Sequence, residues 1–368
     1  MKIGLVRRGY SRTGGAEAYL RRFAESAVAA GHECVLFTGQ WPRVAWPFAH
    51  VQVGSDSPKK FAAALTALRP RDECDFLFSL ERIPTCDAYR AGDGVHAAWL
   101  ERRARFEPFW KPWLRRYNAK HRELLALEMQ LFGPDGAGLV IANSRMIQTE
   151  IAQHFGYPAE KSHVVHNGVP PFTIAPEARE QTRRELGLRD DDFAVLFAGS
   201  GWERKGLRFA IEAMNATRLP NATLLGAGRG KERAMPRSER VRFLGPVKDM
   251  PRHLAAADAF LLPTLYEPFS NACLEALAAG LPVITTAYNG FAEIIEPGVE
   301  GEVIAQPDDI AALAAALEKW SDRARRAAVR PRLLALGARF SIAENVCQTL
   351  AIIERARACA PPTRTTPR

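Results

Sequence analysis

The stretch Pro263-Thr264-Leu265-Tyr266-Glu267-Pro268-Phe269-Ser270-Asn271-Ala272-Cys273-Leu274-Glu275-Ala276-Leu277 follows a short apolar run at 258–262 and enters a helical pattern at 271–279. Read in order it is a buried strand, a loop and a helix start. Glu267 sits in the loop, and Glu275 lies eight positions later in the first turns of the helix. A helix start leaves backbone N–H groups without partners and turns the positive end of its dipole outward, which suits an anion. Carboxylates flanking such a turn can accept hydrogen bonds from hydroxyls on either side of a bound phosphate, a geometry that fits a nucleotide-sugar. Two glutamates near a helix start also occur because the dipole favours them, so this spacing alone does not decide.

The same strand–loop–helix rhythm extends in both directions. Residues 2–7, 33–38, 75–79, 138–142 and 162–165 read as strands, and 16–30, 58–69 and 144–155 as helices, the last capped by Ser144. Gly168, Pro170, Pro171 and Pro176 then break the pattern. A second series follows, with strands at 193–199, 222–226, 240–243, 258–262 and 282–285 and helices near 205–217, 250–257 and 271–279. Residues 309–357 are almost wholly helical in pattern. Such alternation predicts an α/β fold with parallel sheets covered on both faces. At ~150 residues per domain, the length of 368 residues predicts two. The expected organisation is a Rossmann-like domain over 1–170, a second Rossmann-like domain over 171–340, a C-terminal helix at 341–357 returning to the first domain, and a frayed tail at 358–368. Ligands of open α/β sheets bind beyond the carboxyl ends of the strands, which places chemistry in the cleft.

Two further loops carry candidate chemistry. Arg8-Gly9-Tyr10-Ser11-Arg12-Thr13-Gly14-Gly15-Ala16-Glu17 puts paired glycines at a helix start. There the backbone can approach an anion, or simply turn. The dinucleotide spacing Gly-x-Gly-x-x-Gly is absent. Phe197-Ala198-Gly199-Ser200-Gly201-Trp202-Glu203-Arg204-Lys205-Gly206-Leu207 ends a strand in glycines and hands over to adjacent cations. These suit a diphosphate, although such a pair is also common on solvated surface. It is no Walker A loop, because Leu-Arg follows Gly206. Asp190-Asp191-Asp192 lies at the far end of its strand and reads as a solvated turn; no metal site is expected.

With 47% apolar and 25% charged residues, composition excludes wholesale disorder. The net charge of +9 favours an anionic partner: nucleic acid, an acidic membrane surface or a phosphorylated substrate. Six cysteines without a Cys-x-x-Cys pair predict neither a zinc site nor a disulfide framework, and suggest a reducing cytosol. The first residues read as a strand rather than a signal peptide, and no apolar run reaches the ~18 residues of a membrane span. Residues 99–122 combine eight Lys or Arg, two Glu and six aromatics, a net +6. Such a mixture suits anionic lipid headgroups, single-stranded nucleic acid, or an ordinary helix pair with its aromatics turned inward.

Taken in order, Gly14-Gly15-Ala16-Glu17, Asn167-Gly168-Val169, Gly201 to Gly206, Glu267-Pro268-Phe269 to Glu275, Ala279 to Ile284 and Gly290 to Ile295 resemble the retaining GT-B glycosyltransferases of family 4, nearly end to end. Gly199-Ser200, Ala278 to Val283 and Ala91-Gly92-Asp93-Gly94-Val95-His96 resemble, within it, the branch that glucosylates lipopolysaccharide inner-core heptose. The donor loop Glu267 to Asn271 and the residues after Gly15 depart from that branch toward the broader family.

The resemblance implies two Rossmann-like domains around a cleft, 1–170 for the acceptor and 171–340 for the nucleotide-sugar donor, and these roles. Gly15 gives a backbone donor to the β-phosphate, while Arg204 and Lys205 clamp the diphosphate. Glu267 holds sugar hydroxyls, and the amides of Phe269, Ser270 and Asn271 cradle sugar and phosphate. Glu275 binds ribose, and Val247 contacts the base. Asp93 is the candidate polar group near the anomeric carbon, with His96 second. It also implies a UDP-sugar donor, UDP-glucose foremost, with no cofactor and no metal. The acceptor would be lipopolysaccharide core or another lipid-linked glycan, and 99–122 would hold the enzyme on the cytoplasmic face of the inner membrane, without nucleic acid as a partner. The alternatives are exopolysaccharide or phosphatidylinositol acceptors, or a catalytically silent nucleotide-sugar sensor.

Overall fold

A computed structural model describes residues 1–9, 15–39, 41, 46–54, 57–115 and 117–359. The first domain runs β1 (Lys2–Arg7), α1 (Gly15–Ala29), β2 (Glu33–Thr38), β3 (Ala49–Gln52), α2 (Pro58–Ala67), β4 (Phe76–Ser79) and β5 (Cys86–Ala91). It continues through α3 (His96–Ala104), α4 (Trp110–Arg115), α5 (Ala119–Leu131), β6 (Ala137–Ala142), α6 (Arg145–Phe155) and β7 (Ser162–Val164). Its seven strands form one parallel sheet in the order β3-β2-β1-β4-β5-β6-β7.

The second domain runs α7 (Ala178–Glu185), β8 (Phe193–Ala198), α8 (Trp202–Lys205), α9 (Leu207–Ala216), β9 (Ala222–Ala227), β10 (Val241–Gly245) and α10 (Met250–Ala256). After it come β11 (Ala259–Leu262), α11 (Asn271–Ala278), β12 (Val283–Thr286), β13 (Gly301–Ile304), α12 (Ile310–Trp320), α13 (Arg323–Ala338) and α14 (Ile342–Cys359). Its parallel sheet has the order β10-β9-β8-β11-β12-β13. The two Rossmann-like domains expected from the alternation are present.

Each sheet reverses its strand order at one point, between β1 and β4 and between β8 and β11. A crevice opens there because successive crossovers leave on opposite sides. The strands feeding it are buried on both faces, as β8 shows, and are therefore apolar throughout. Helix starts facing the crevice are capped by short side chains: Ser144 Oγ accepts from the Ile147 amide at 3.2 Å, and Ser270 Oγ from the Cys273 amide at 3.2 Å.

The chain passes between the domains twice, at the same place. Val169 donates to the Phe340 carbonyl at 3.0 Å, and Ile342 donates to the Val169 carbonyl at 3.1 Å. Beyond this crossing, α14 lies against α1, with Val346, Leu350 and Ile353 buried among Ile3, Leu5, Tyr19 and Phe23. The helix extends to Cys359, and residues 360–368 of the expected tail lie outside the described residues.

Candidate active site

An interdomain cavity of about 460 Å³ lies at the carboxyl ends of both sheets. Its second-domain wall is built by the quoted stretch. Glu267 is locked by its backbone, donating to the Tyr288 carbonyl at 2.9 Å and accepting from the Gly290 amide at 2.9 Å. Arg204 is held against the same loop, since its carbonyl accepts from Leu265 N at 2.8 Å and from Thr264 Oγ1 at 2.9 Å. These contacts bring the cations and the carboxylate together. Lys205 Nζ donates to Glu267 Oε2 at 2.7 Å, and the Arg204 guanidinium stands 3.6 Å from the same oxygen. Burial alone would raise the Glu267 carboxyl, but Lys205 and Arg204 outweigh it and hold the group below the ordinary range.

The close approach depends on two glycines. Gly206 has φ +74°, and a Cβ there would collide with the Pro263 carbonyl. Gly199, at φ +145°, leaves room for the Lys205 stem to lie across it.

Helix α11 points its first turn into the cavity. Asn271, Ala272 and Glu275 line it from one face, as the i, i+4 spacing of Asn271 and Glu275 requires. Burial pushes the Glu275 carboxyl up, and among the described residues it has no ion-pair partner. Phe269 also lines the cavity, backed by Phe291 at 6.1 Å between ring centroids.

Two of the expected donor contacts are engaged elsewhere in the described structure. The Ser270 amide is engaged by Asn289 Oδ1 at 3.2 Å and its hydroxyl caps α11, so its part is to shape the turn rather than to offer a donor to the cavity. Val247 is not among the residues lining the cavity; half-buried after β10, it packs on the second-domain core.

The first-domain wall comes from the ends of β1, β4 and β5. Asp93, in the turn after β5, lines the cavity and stands 3.7 Å from Arg7. His96 does not join it. His96 is not among the residues lining the cavity, and its side chain pairs with His121, Nε2 standing 3.0 Å from His121 Nδ1. Gly15 begins α1, whose next turns carry the cavity residues Tyr19 and Arg22, while Gly14 lies outside the described residues.

Sequence reasoning missed Arg7, Arg22 and Arg90, which line this wall from β1, α1 and β5. Only the rule that ligands gather at strand ends could have pointed to Arg7 and Arg90. Asn167 links the walls: Oδ1 accepts from Arg90 Nη2 at 2.8 Å, and Nδ2 donates to Asn271 Oδ1 at 2.8 Å.

The basic aromatic segment divides. Trp99 stacks on Tyr266 at 6.1 Å and Phe106 meets Phe209 at 5.9 Å, so both belong to the domain interface. Arg102 pairs with Glu150, and Arg103 and Arg115 with Glu107. The exposed part is shorter: Phe109 (92% exposed), Trp110, Trp113 (56%), Leu114 and Tyr117. Among the described residues, no helix is long and apolar enough to cross a membrane. The Asp190–Asp192 turn is held by Arg189, which reaches Asp192 Oδ1 at 2.9 Å; among the described residues no cluster of His, Cys, Asp or Glu could cage a metal.

The arrangement can place positive charge on one side of a bound phosphate and carboxylates within reach of hydroxyls. Residues 91–171 match the Glycosyltransferase Family 4 model and residues 192–323 the Glycosyl transferases group 1 model. An uncharacterized glycosyltransferase of Methanocaldococcus jannaschii is 33% identical over 189 residues, 47% of this chain and only 48% of that protein. The lipopolysaccharide glucosyltransferase WaaG of Escherichia coli K12 is 27% identical over 323 residues, 81% of this chain and 83% of the relative. A crystal structure of WaaG superposes with a TM-score of 0.79 at 24% identity, covering 95% of this chain and 99% of the other. Anabaena Alr3699/HepE, solved with UDP-glucose, has the same fold with a TM-score of 0.71 at 20% identity, covering 96% and 100%.

Proposed function

Because this chain belongs to the GT-B glycosyltransferases of family 4 and group 1, we propose that it transfers glucose from UDP-glucose to a hydroxyl of a lipopolysaccharide-core or other lipid-linked glycan, with retention. The observation that carries the reading is the Lys205–Glu267 contact of 2.7 Å beside the start of α11. As the glycosyl–phosphate bond breaks, its electron pair passes to the departing diphosphate. Lys205, Arg204 and the first amides of α11 meet that charge with donors already in place, and no metal is required. The acceptor oxygen bonds to the anomeric carbon from the leaving-group side, and its proton passes to the freed phosphate oxygen. Glu267 orients sugar hydroxyls, Glu275 takes the ribose, and Asp93 faces the anomeric side from the opposite wall. The UDP-glucose complex of the Anabaena neighbour and the name of the E. coli relative support donor and acceptor class.

A panel of nucleotide-sugars, read by donor hydrolysis and thermal shift, tests the assignment. UDP-glucose should stabilise the protein and be hydrolysed, and Lys205→Ala should lower turnover by about 100-fold. Stabilisation by another nucleotide-sugar alone, or binding without turnover, would reject it.

Membrane attachment is the second part of the reading. The exposure of Phe109, Trp110, Trp113 and Tyr117 beside the exposed Lys111, Lys120 and Arg122 supports an interfacial patch for an anionic leaflet. Replacing Phe109, Trp110 and Trp113 with Ser should abolish sedimentation with phosphatidylglycerol vesicles.

A further inference from the structure

Four cations and three carboxylates border the interdomain cavity among the described residues: Arg7, Arg22, Arg90 and Lys205 against Asp93, Glu267 and Glu275. Lys205 is matched by Glu267 at 2.7 Å. Arg7 stands 3.7 Å from both Asp93 and Glu81. Burial favours the uncharged form of Glu275, which stands on the opposite wall. Arg22 and Arg90 remain, and among the described residues neither has a carboxylate partner.

Arg90 is the more constrained. It is 5% exposed, and its guanidinium lies 4.1 Å over the Tyr19 ring. Nη2 donates to Asn167 Oδ1 at 2.8 Å, while among the described residues Nη1 has no hydrogen-bond partner. A buried charge is costly unless it is paired and hydrogen-bonded, and here the ring and one amide oxygen do only part of that. Arg22 follows Tyr19 by three positions on α1, so both occupy one helix face. The wall therefore presents an aromatic ring covered by the Arg90 guanidinium, with Arg22 lining the same cavity from the same helix face as Tyr19; the planar forks of both arginines match phosphate oxygens.

We propose that Arg22 and Arg90 form an anion subsite that takes a phosphate group carried by the acceptor. This rests on reading the cavity as a glycosyl-transfer site. The other source of phosphate is the donor, but its diphosphate already has Lys205, Arg204 and the start of α11 on the second-domain wall. The subsite stands across from those groups, with the Asn167 side chain between Arg90 and Asn271.

The test uses the full chain saturated with UDP and then titrated with inorganic phosphate by calorimetry. The UDP step reports on the donor site by itself, so its failure would sink the proposed function separately. With UDP in place, the wild type should bind one phosphate. Arg90→Gln and Arg22→Gln should each weaken that step about tenfold or more, the scale of a lost charged hydrogen bond. UDP affinity should stay unchanged, and Arg90→Lys should recover part of the loss. Arg22→Gln, on the partly exposed face of α1, carries the test if the buried variant misfolds. Phosphate that binds only when UDP is absent would assign these cations to the donor and overturn the proposal. Equal binding by wild type and both Gln variants, or no binding at all, would overturn it too.

Discussion

His96 is neutral at physiological pH. Burial first, then the charges of Arg82, His121 and Lys120, bring it down to about 4, whereas an unfolded histidine titrates near ~6.5. The unfolded chain therefore takes up the proton first as the solution is acidified. Stability attributable to this group is complete above ~6.5 and is lost as pH falls toward 4. His121 is lowered for similar reasons and adds the same sign. Urea midpoints at pH 7.5 and pH 4.5 check this, with His96→Gln expected to show a smaller acid loss than wild type. Equal losses would remove the pair from the account. The pairing was not legible in the sequence, because the two histidines are 25 positions apart on separate helices. Glu267 and Glu275 were legible because one loop and the helix after it carry both at short range, and Lys205 because it follows the glycines at a strand's end. Arg22 and Arg90 were not: only the fold brings α1 and β5 to one cavity.

At the scale of elements, the turn between α8 and α9 sets the distance from cation to carboxylate. Gly206→Ala would add left-handed strain of ~1–2 kcal/mol and an overpacking cost of ~1–3 kcal/mol against the Pro263 carbonyl. The expected result is a total loss of about 2–5 kcal/mol in chemical denaturation, together with a drop in donor hydrolysis as Lys205 moves from Glu267. Retained hydrolysis at reduced stability would show that the turn supports the fold alone. The long apolar strands were readable from their composition. Three others were not. β3 (AHVQ) is a half-exposed edge, β5 (CDAYRA) carries Asp87 and Arg90 among its apolar residues, and β13 has four residues. The segment at 99–122 read as one unit because basic and aromatic residues alternate through it. The fold spends Trp99 and Phe106 on the domain interface and leaves the patch to α4.

For the whole molecule, the last helix completes the first domain. Val346, Leu350 and Ile353 each bury a side chain worth ~1.5–3 kcal/mol, which together approach the ~5–15 kcal/mol that keeps a domain folded. A chain ending after Arg339 should therefore show a first domain cut rapidly by trypsin while the second resists; uniform resistance would contradict this role for α14. Domain closure is held by residues that do not themselves line the cavity. Tyr266 Oη accepts from the Val95 amide at 2.7 Å and donates to Glu150 at 2.8 Å, and Ser144 Oγ donates to the Pro268 carbonyl at 2.8 Å.

The paired crossings at Val169 and Phe340–Ile342 have a mechanical consequence. A single tether between bodies permits swing, twist and slide. Two tethers fastened side by side by hydrogen bonds of 3.0 and 3.1 Å leave swing as the soft freedom. Each opening and closing then follows one arc, and whatever lies on the two walls returns to the same alignment on every cycle.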